Sequence, residues 1–562
     1  MSITQPQATP SPMDAAEDEI PIGAGLDFTD PNSPLARYYR QTSHVVAAAL
    51  LATVFILLNR VPLWHTDIWG HLAYGRVTAQ NWWPPSQEQF CTVFADPDAP
   101  GAQGNWLAQT GFYLAYATGA QLATWTGADP MAGGVDVLRM AYACLVNLKL
   151  LLLYLAFVRL TGSPGWACGG LAVVILLSLG NLAVIRPQVI GEVGVATLLF
   201  ALSLKEIPKR FTFTLPLLMT VWANAHGSFL MGLMVLGLGT LGRMIEVVLR
   251  TGSLSPATLW RDVSVRRLLL ILIISVVAIA LQNPSGPWIY AQALATARHP
   301  NVLAMDEWQP LKFTLGPGGH WAYAMTLLLV VGAVVAHRRW FTPTQTLLLA
   351  FLVWQPLVHQ RMFVWWLLAC PWIVLPHYAA WGRAWAKNRE IGGVPSLRKT
   401  LLVGMILFLA VMMSLPLQWL LNGQPTELKR SLSDGTPLTF AQELLKTPPP
   451  GRVFASETLA DFLLWNAPTP QRICVYTHVH LFPADHWKWC QVVKFGQKNW
   501  RDVLDRWQVN TILVEAESHP HLRQRLQDDK EWEILLDETG DTKKIDKRCR
   551  LLLAKRKQPI LK

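Results

Sequence analysis

The strongest constraint on this chain is a series of eleven apolar segments, near 44–59, 137–158, 165–184, 187–204, 211–225, 228–249, 267–282, 320–336, 342–358, 362–378 and 400–421. A water-soluble core has no room for so many. A bilayer does, because a helix satisfies its own backbone groups in lipid. Several segments fall short of the ~20 residues a full span needs, so the expectation is about eleven membrane helices with loose ends. Composition agrees where it bears on the point. Only 15% of the residues are charged, and there are 26 Trp. Soluble proteins carry roughly 25% charged residues, and Trp collects at membrane–water boundaries.

Charge then orients the helices. With the N-terminus inside, the inner loops hold Arg159, then Lys205, Lys209 and Arg210, then Arg250, Arg261 and Arg266, then Arg338 and Arg339. The last inner loop adds Arg383, Lys387, Arg389, Arg398 and Lys399, while the opposite ends carry little beyond Arg186 and Arg361. Basic loops stay cytoplasmic. The run 106–126 is rich in small and aromatic residues. Counting it as a span would turn every later basic loop outward, so a juxtamembrane helix lying at the surface is expected. The formal charge of +11 therefore reads as topology. Without zinc-finger spacing or an RNP-like run, no nucleic-acid partner is expected.

This pattern divides the chain. Residues 1–43 are rich in Pro and acid and lack a basic n-region, as in a disordered cytoplasmic tail. Residues 44–421 make a transmembrane domain with outer loops 60–136 and 283–319. Residues 422–562 open with a polar linker holding TPPP at 447–450 and read as a small extracytoplasmic α/β domain. Its strand-like runs are RVFAS (452–456), ICVYT (473–477), TILVEA (511–516), WEILLD and RLLLAK; LADFLLWN, NWRDVLDRW and HLRQRLQDD look helical. No Gly-rich phosphate loop opens any of these helices, so no nucleotide site is expected there. The seven Cys include no CxxC. Cys474 and Cys490 are the pair that an oxidising compartment could join.

Chemistry concentrates in the first outer loop, from Arg60 to Gly111. If TDIWGHLAYG is helical, Asp67 and His71 share one face. A carboxylate held among aromatic side chains at a membrane surface suits acid/base or metal work. The plainer alternative is a helix cap beside an interfacial Trp belt. His478, His480, Asp485 and His486 have spacing compatible with metal ligands, with ordinary polar surface as the alternative. Asp306 and Glu307 in the 283–319 loop could meet a metal or an acceptor, or be a solvated pair.

The runs HTDIWGHLAYGRV, PPSQEQFCTVF and NWLAQTGFYLAY resemble the first outer loop of GT-C-type membrane glycosyltransferases, relatives of the protein O-mannosyltransferases and lipid A aminoarabinose transferases. Further matches are Arg186-Pro187-Gln188, WANAHG (222–227), Asn283-Pro284 with Gly286, EWQP (307–310) and the closing RVFASETLADFLLW. The resemblance covers about 37 to 556. It departs from the pattern at Glu88 or Gln89, where an acid is usual, and at Thr477-His478-Val479-His480. The Trp-Trp-Asp signature of oligosaccharyltransferases is absent.

The resemblance implies an inverting transferase using a polyprenyl-phosphate-linked sugar in the bilayer, with an unspecified protein, lipid or glycan acceptor. Asp67 would be the base, with His71 beside it. Arg186 and Arg361 would meet the leaving phosphate, since Arg binds phosphate with two parallel bonds. Gln188, His226 and Glu307 would complete the substrate site. A divalent metal is a conceivable cofactor, with Asp306, His478 and His480 as its candidate ligands. The rival readings are a non-catalytic scaffold or assembly subunit of the same fold, with membrane subunit partners, and a transporter. Sparse intramembrane charge and the lack of matched broken helices count against the transporter.

Overall fold

The computed structural model describes residues 29–31, 33–63, 67–96, 102–313, 320–336, 341–385, 393–433, 435–446, 450–466, 472–538 and 550–560. Most of the N-terminal tail lies outside these residues, as do Trp64, Arg338, Arg339, Lys387, Arg389, most of the TPPP linker and Cys549.

Every expected apolar segment is helical, but they differ in length. Among the described residues, six helices are long and apolar enough to cross a membrane: Thr42–Arg60, Pro130–Thr161, Pro164–Leu182, Phe229–Thr251, Val263–Gln282 and Gln360–Trp385. Leu397–Met412 and Leu415–Asn422 make a seventh if taken as one span, bent by 68°. Gln188–Leu202, Phe211–Ala225, Trp321–Val335 and Pro343–Val358 are shorter. Proline sets several of the boundaries. Pro130, Pro164 and Pro343 each open a helix, where a missing N–H costs nothing. Pro416 follows the bend. The run 106–126 forms the helix Trp106–Trp125, which is not among those apolar enough to span.

That helix sits between two others. On one side a Cβ on Gly119 would lie 2.2 Å from the Gly133 carbonyl oxygen, so the glycines let it press onto Pro130–Thr161. On the other, Ile68–Asn81 packs against it, and a Cβ on Gly75 would lie 2.1 Å from the Gln109 carbonyl oxygen. The loop after the first membrane helix thus carries a pair of helices clamped on the bundle.

The C-terminal part carries a four-stranded sheet, β1 (Arg452–Ala455), β2 (Val509–Glu515), β3 (Trp532–Asp537) and β4 (Leu551–Arg556), in the order β1-β2-β4-β3. β1 runs parallel to β2; the other pairs are antiparallel. The central β2 is buried along its whole length. Two expectations fail here. Residues 473–477 are not a strand but touch β1 through one bridge, Val453–Ile473. They are drawn off the sheet by the first outer loop. Cys91 bonds the Ile473 carbonyl (3.0 Å), and Tyr476 bonds Glu88 (2.5 Å). Asp485 and His486, candidate metal ligands by their spacing or else polar surface, lie on a helix, Ala484–Lys494. His486 bonds the Cys474 carbonyl at 2.8 Å and stacks on Trp507, so its role is in packing. Cys474 and Cys490 are buried free thiols, not a disulfide.

The sheet part is not a detached module. The helix Glu457–Asn466 lies on Ile68–Asn81, with Phe462 edge-on to Trp69 (ring centroids 4.9 Å apart) and Arg76 over Trp465 (4.3 Å). Asn301, in the long outer loop, donates to the carbonyls of Val479 (2.9 Å) and Phe482 (2.8 Å). One continuous apolar core runs from the bundle into the sheet.

The glycine contact is testable. Gly75→Ala should destabilise the protein by about 1–3 kcal/mol through overpacking. Gly111→Ala, in the same layer but with nothing within 4 Å of its Cβ, should stabilise by about 0.5–1 kcal/mol. Thermal unfolding of the purified protein in detergent checks both. Equal midpoints for the two variants would refute the close-contact reading.

Candidate active site

Asp67 occupies the N-cap position of Ile68–Asn81, yet its side chain makes no capping bond. It faces Arg186 instead, Oδ1 to Nε 3.5 Å, and His71 one turn along, Oδ2 to Nε2 3.7 Å. The helical period has therefore put Asp67 and His71 on one face, and the cap alternative does not hold. Arg186, just ahead of Gln188–Leu202, also bonds Glu307 (Nη1 to Oε2, 2.7 Å). The other oxygen of Glu307 bonds Arg361. Four residues from four distant segments thus form an alternating row, Asp67–Arg186–Glu307–Arg361.

Each member is held from behind. Arg361 lies 5.7 Å from the Trp308 ring centre, and His359 bonds the Trp308 carbonyl at 2.7 Å. The Gln360 N–H donates to the Gln309 carbonyl at 2.9 Å, tying the long loop to the turn before the Phe363–Trp385 helix. Asn224 accepts from Trp106 (2.8 Å) and Asn283 (3.1 Å), pinning three helix ends together. Behind Asp67, the Gln109 amide nitrogen lies 3.2 Å from His71 Nδ1 and 3.4 Å from His478 Nε2. The row itself is open, with side-chain exposure from 23% at Asp67 to 35% at Arg186; His71, at 7%, is sealed beneath.

The electrostatics follow from this packing. Burial pushes the Asp67 carboxyl up, but Arg186, His71 and Arg361 outweigh it and hold the group well below the usual carboxylate range. Glu307 is likewise lowered, by Arg361 and Arg186 against burial. Arg186 is raised, by Asp67 first and Glu307 next. Burial lowers His226 to about 3, with Arg361 and His71 adding to it. His226 Nδ1 is 2.7 Å from Ser228 Oγ. His478 is lowered well below its ordinary value and His480 to about 4, burial being the main cause in both. Asp461 goes the other way. Burial raises it far above the carboxylate range, opposed by its bonds from Thr477.

The structure sorts the expected residues. Asp67, His71, Arg186, Glu307 and Arg361 come together, with His226 at their edge. Gln188 does not join them; it turns along its own helix to Glu192 (3.4 Å), which Lys149 also holds (2.5 Å). Asp306 contributes only its carbonyl, to Gln360. Asp306, His478 and His480 do not converge. Among the described residues no group of three His, Cys, Asp or Glu is placed to share a cation. The carboxylates of the row, Asp67 and Glu307, already face guanidinium groups.

Some residues at the site carried little warning in the sequence. Glu88, not Gln89, is the acid of the second loop motif. It takes bonds from Tyr74, Tyr476 (2.5 Å), and the N–H groups of Phe90 (2.6 Å) and Cys91 (3.0 Å). A carboxylate so fully bonded is a joint between loop and sheet domain. The local signal for Gln109 is a polar side chain within a largely apolar helix.

The fold so assembled, a helical membrane body with two loop helices and a small terminal sheet, is of the GT-C type. The structure is similar to the cryo-EM structure of the arabinofuranosyltransferase AftD from Mycobacteria, with a TM-score of 0.50 and 14% identity over 92% of this chain and 40% of that one. The chain thus spans less than half of that neighbour's length. It is also similar to the crystal structure of ArnT from Cupriavidus metallidurans bound to undecaprenyl phosphate, with a TM-score of 0.46 and 13% identity over 91% of this chain and 97% of that one. At these identities the likeness is one of fold. No family model matches the chain, and no curated protein matches it.

The lowered histidines set a pH dependence. His226, His478, His480 and His486 are neutral in the fold and protonate in the unfolded chain below about 6.5. The unfolded state then binds more protons, so their contribution falls as pH drops from there to about 4 for His480 and His486. Asp461, raised, acts with the opposite sign and gains stability on acidification. Asp67 and Glu307, lowered in the fold, contribute stability at neutral pH that is lost only once the unfolded carboxylates protonate, below about pH 4. The melting temperature should therefore fall steadily from pH 7 to 4.5, and His480→Gln should flatten the fall. A wild-type profile that is level over this window would contradict the burial of these imidazoles.

Proposed function

We propose that the protein is an integral membrane glycosyltransferase of the inverting type. It moves a sugar from a polyprenyl-phosphate carrier to a protein, lipid or glycan hydroxyl at the outer face of the cytoplasmic membrane. The observation that carries this reading is the open row Asp67–Arg186–Glu307–Arg361, a carboxylate base beside two arginines that a phosphate could bridge. The fold it shares with a named arabinofuranosyltransferase is consistent with that chemistry.

The reaction needs one displacement. An acceptor oxygen attacks the anomeric carbon while the bond from that carbon to the phosphate oxygen breaks. Asp67 takes the acceptor proton, and the phosphate leaves with the bonding electrons and the charge that Arg186 and Arg361 stabilise. In the resting arrangement Arg186 keeps Asp67 ionised but only weakly basic. A phosphate that draws Arg186 toward itself weakens that hold, so Asp67 becomes a stronger base once the donor is in place.

The outer-face placement is supported by the helix Gln188–Leu202. Arg186 precedes it, and Lys205, Lys209 and Arg210 follow it, so the charged row lies at the end away from this basic loop. A cysteine placed at Pro208 should label only from the cytoplasmic side in oriented vesicles; labelling from outside would reverse the topology.

Asp67→Asn preserves size but removes the base. It should leave a folded protein slowed by about 10²–10⁴-fold. Arg186→Lys should be milder, keeping charge without the two-pronged contact. The measurement is sugar transfer from, or hydrolysis of, a polyprenyl-phosphate sugar. Wild-type turnover in a folded Asp67→Asn variant would remove Asp67 as base. A wild type inactive with every such donor would favour the scaffold reading.

A further inference from the structure

Gln109 lies outside the row yet is almost fully buried, at 1% exposure, in the helix Trp106–Trp125. Its surroundings hold it to one place. One turn back, Trp106 is bonded to Asn224. Its own carbonyl is pressed against Gly75, one turn beyond His71 on the facing helix. From there the amide nitrogen reaches two imidazoles from opposite ends of the chain, His71 Nδ1 at 3.2 Å and His478 Nε2 at 3.4 Å. The two rings are 4.9 Å apart at near right angles.

The geometry points to Gln109 as a positioning residue that fixes the tautomer of His71 and so orients Asp67, with His478 of the sheet domain as its second anchor. This inference rests on the reading of Asp67 as the base. An amide NH2 has two hydrogens and no lone pair to give, so each imidazole nitrogen facing it accepts. His71 Nδ1 is then bare, and its remaining proton sits on Nε2, which faces Asp67 Oδ2. The reversed amide would require a proton on His71 Nδ1. The Nε2 lone pair of neutral His71 would then point at a carboxylate that Arg186 keeps ionised, placing two acceptors face to face. The tautomer is therefore decided from both sides of the ring.

The consequence for Asp67 is directional. His71 Nε2–H addresses Oδ2, and Arg186 addresses Oδ1. When a donor phosphate draws Arg186 away, Oδ1 is the oxygen released to take the acceptor proton, while Oδ2 remains anchored. The 3.7 Å separation is too long for a hydrogen bond at rest, and such contacts tighten when the reacting complex forms. Gln109 touches neither substrate, so its effect falls on the rate and not on donor binding.

The test uses the full-length protein carrying ring-15N histidine, with the His71 signals assigned by difference from His71→Asn. The expected wild-type spectrum shows an unprotonated Nδ1 and a protonated Nε2 at His71. Gln109→Glu replaces the donor with a carboxylate that only accepts, so His71 Nδ1 should become protonated. Sugar transfer should drop about 10- to 100-fold in kcat, as for loss of other orienting partners. KM for the lipid-linked sugar should stay within about twofold. If Gln109→Glu does not fold, the near-isosteric Gln109→Met, which offers no hydrogen bond, should give a mixture of both tautomers. A wild-type His71 protonated at Nδ1, or a tautomer unchanged in the folded variant, would overturn the inference. A wild type that transfers no sugar would defeat the glycosyltransferase reading alone, because the 15N spectrum decides the tautomer independently of activity.

Discussion

Arg186 is shared between two carboxylates, and the site depends on that sharing. Its Nε faces Asp67 and its Nη1 bonds Glu307, which passes the contact on to Arg361. Two negative and two positive groups alternate, so no charge is left uncompensated at the edge of an apolar body. Removing one partner of such a row would strand the next, which is far more costly than the row itself. The row also joins the first outer loop, the turn before Gln188, the long loop and the turn before the Phe363–Trp385 helix. An arriving anion can exchange with Glu307 for the arginines without leaving either guanidinium bare.

The sheet domain belongs to this arrangement. Glu88 gathers Tyr74 and Tyr476 on one oxygen, Trp69 meets Phe462, and Asn301 clasps the backbone around Val479 and Phe482. These contacts bring His478 to Gln109 and thus to the back of His71. The floor of the site is shared by the first loop and the C-terminal part. Burial supplies the rest of the chemistry. It keeps His226 and His478 uncharged, so the arginines are the cations beside them.

Much of this was legible in the chain itself. The apolar segments, the alternation of basic loops and the pairing of Asp67 with His71 are all local. Composition and a period of 3.6 residues determine them without reference to anything distant. The residue runs that resemble GT-C enzymes are local too, and the fold agrees. Arg186 and Arg361 could be singled out because charge at predicted outer helix ends is scarce, and Glu307 because it stands in the run EWQP (307–310).

What tertiary structure alone decided involves partners hundreds of residues apart. Residues 473–477 have the composition of a strand, yet Glu88 and Cys91 draw them off the sheet. Gln188 was grouped with Arg186 through the run Arg186-Pro187-Gln188, but it opens the helix that Arg186 only precedes, and its side chain faces Glu192. The length of each membrane helix depended on where neighbouring helices and prolines allowed it to end. The sequence determined which residues could do chemistry and on which helix face they would stand. Packing decided which of them meet, because a contact between Gln109 and His478 has no local signature on either side.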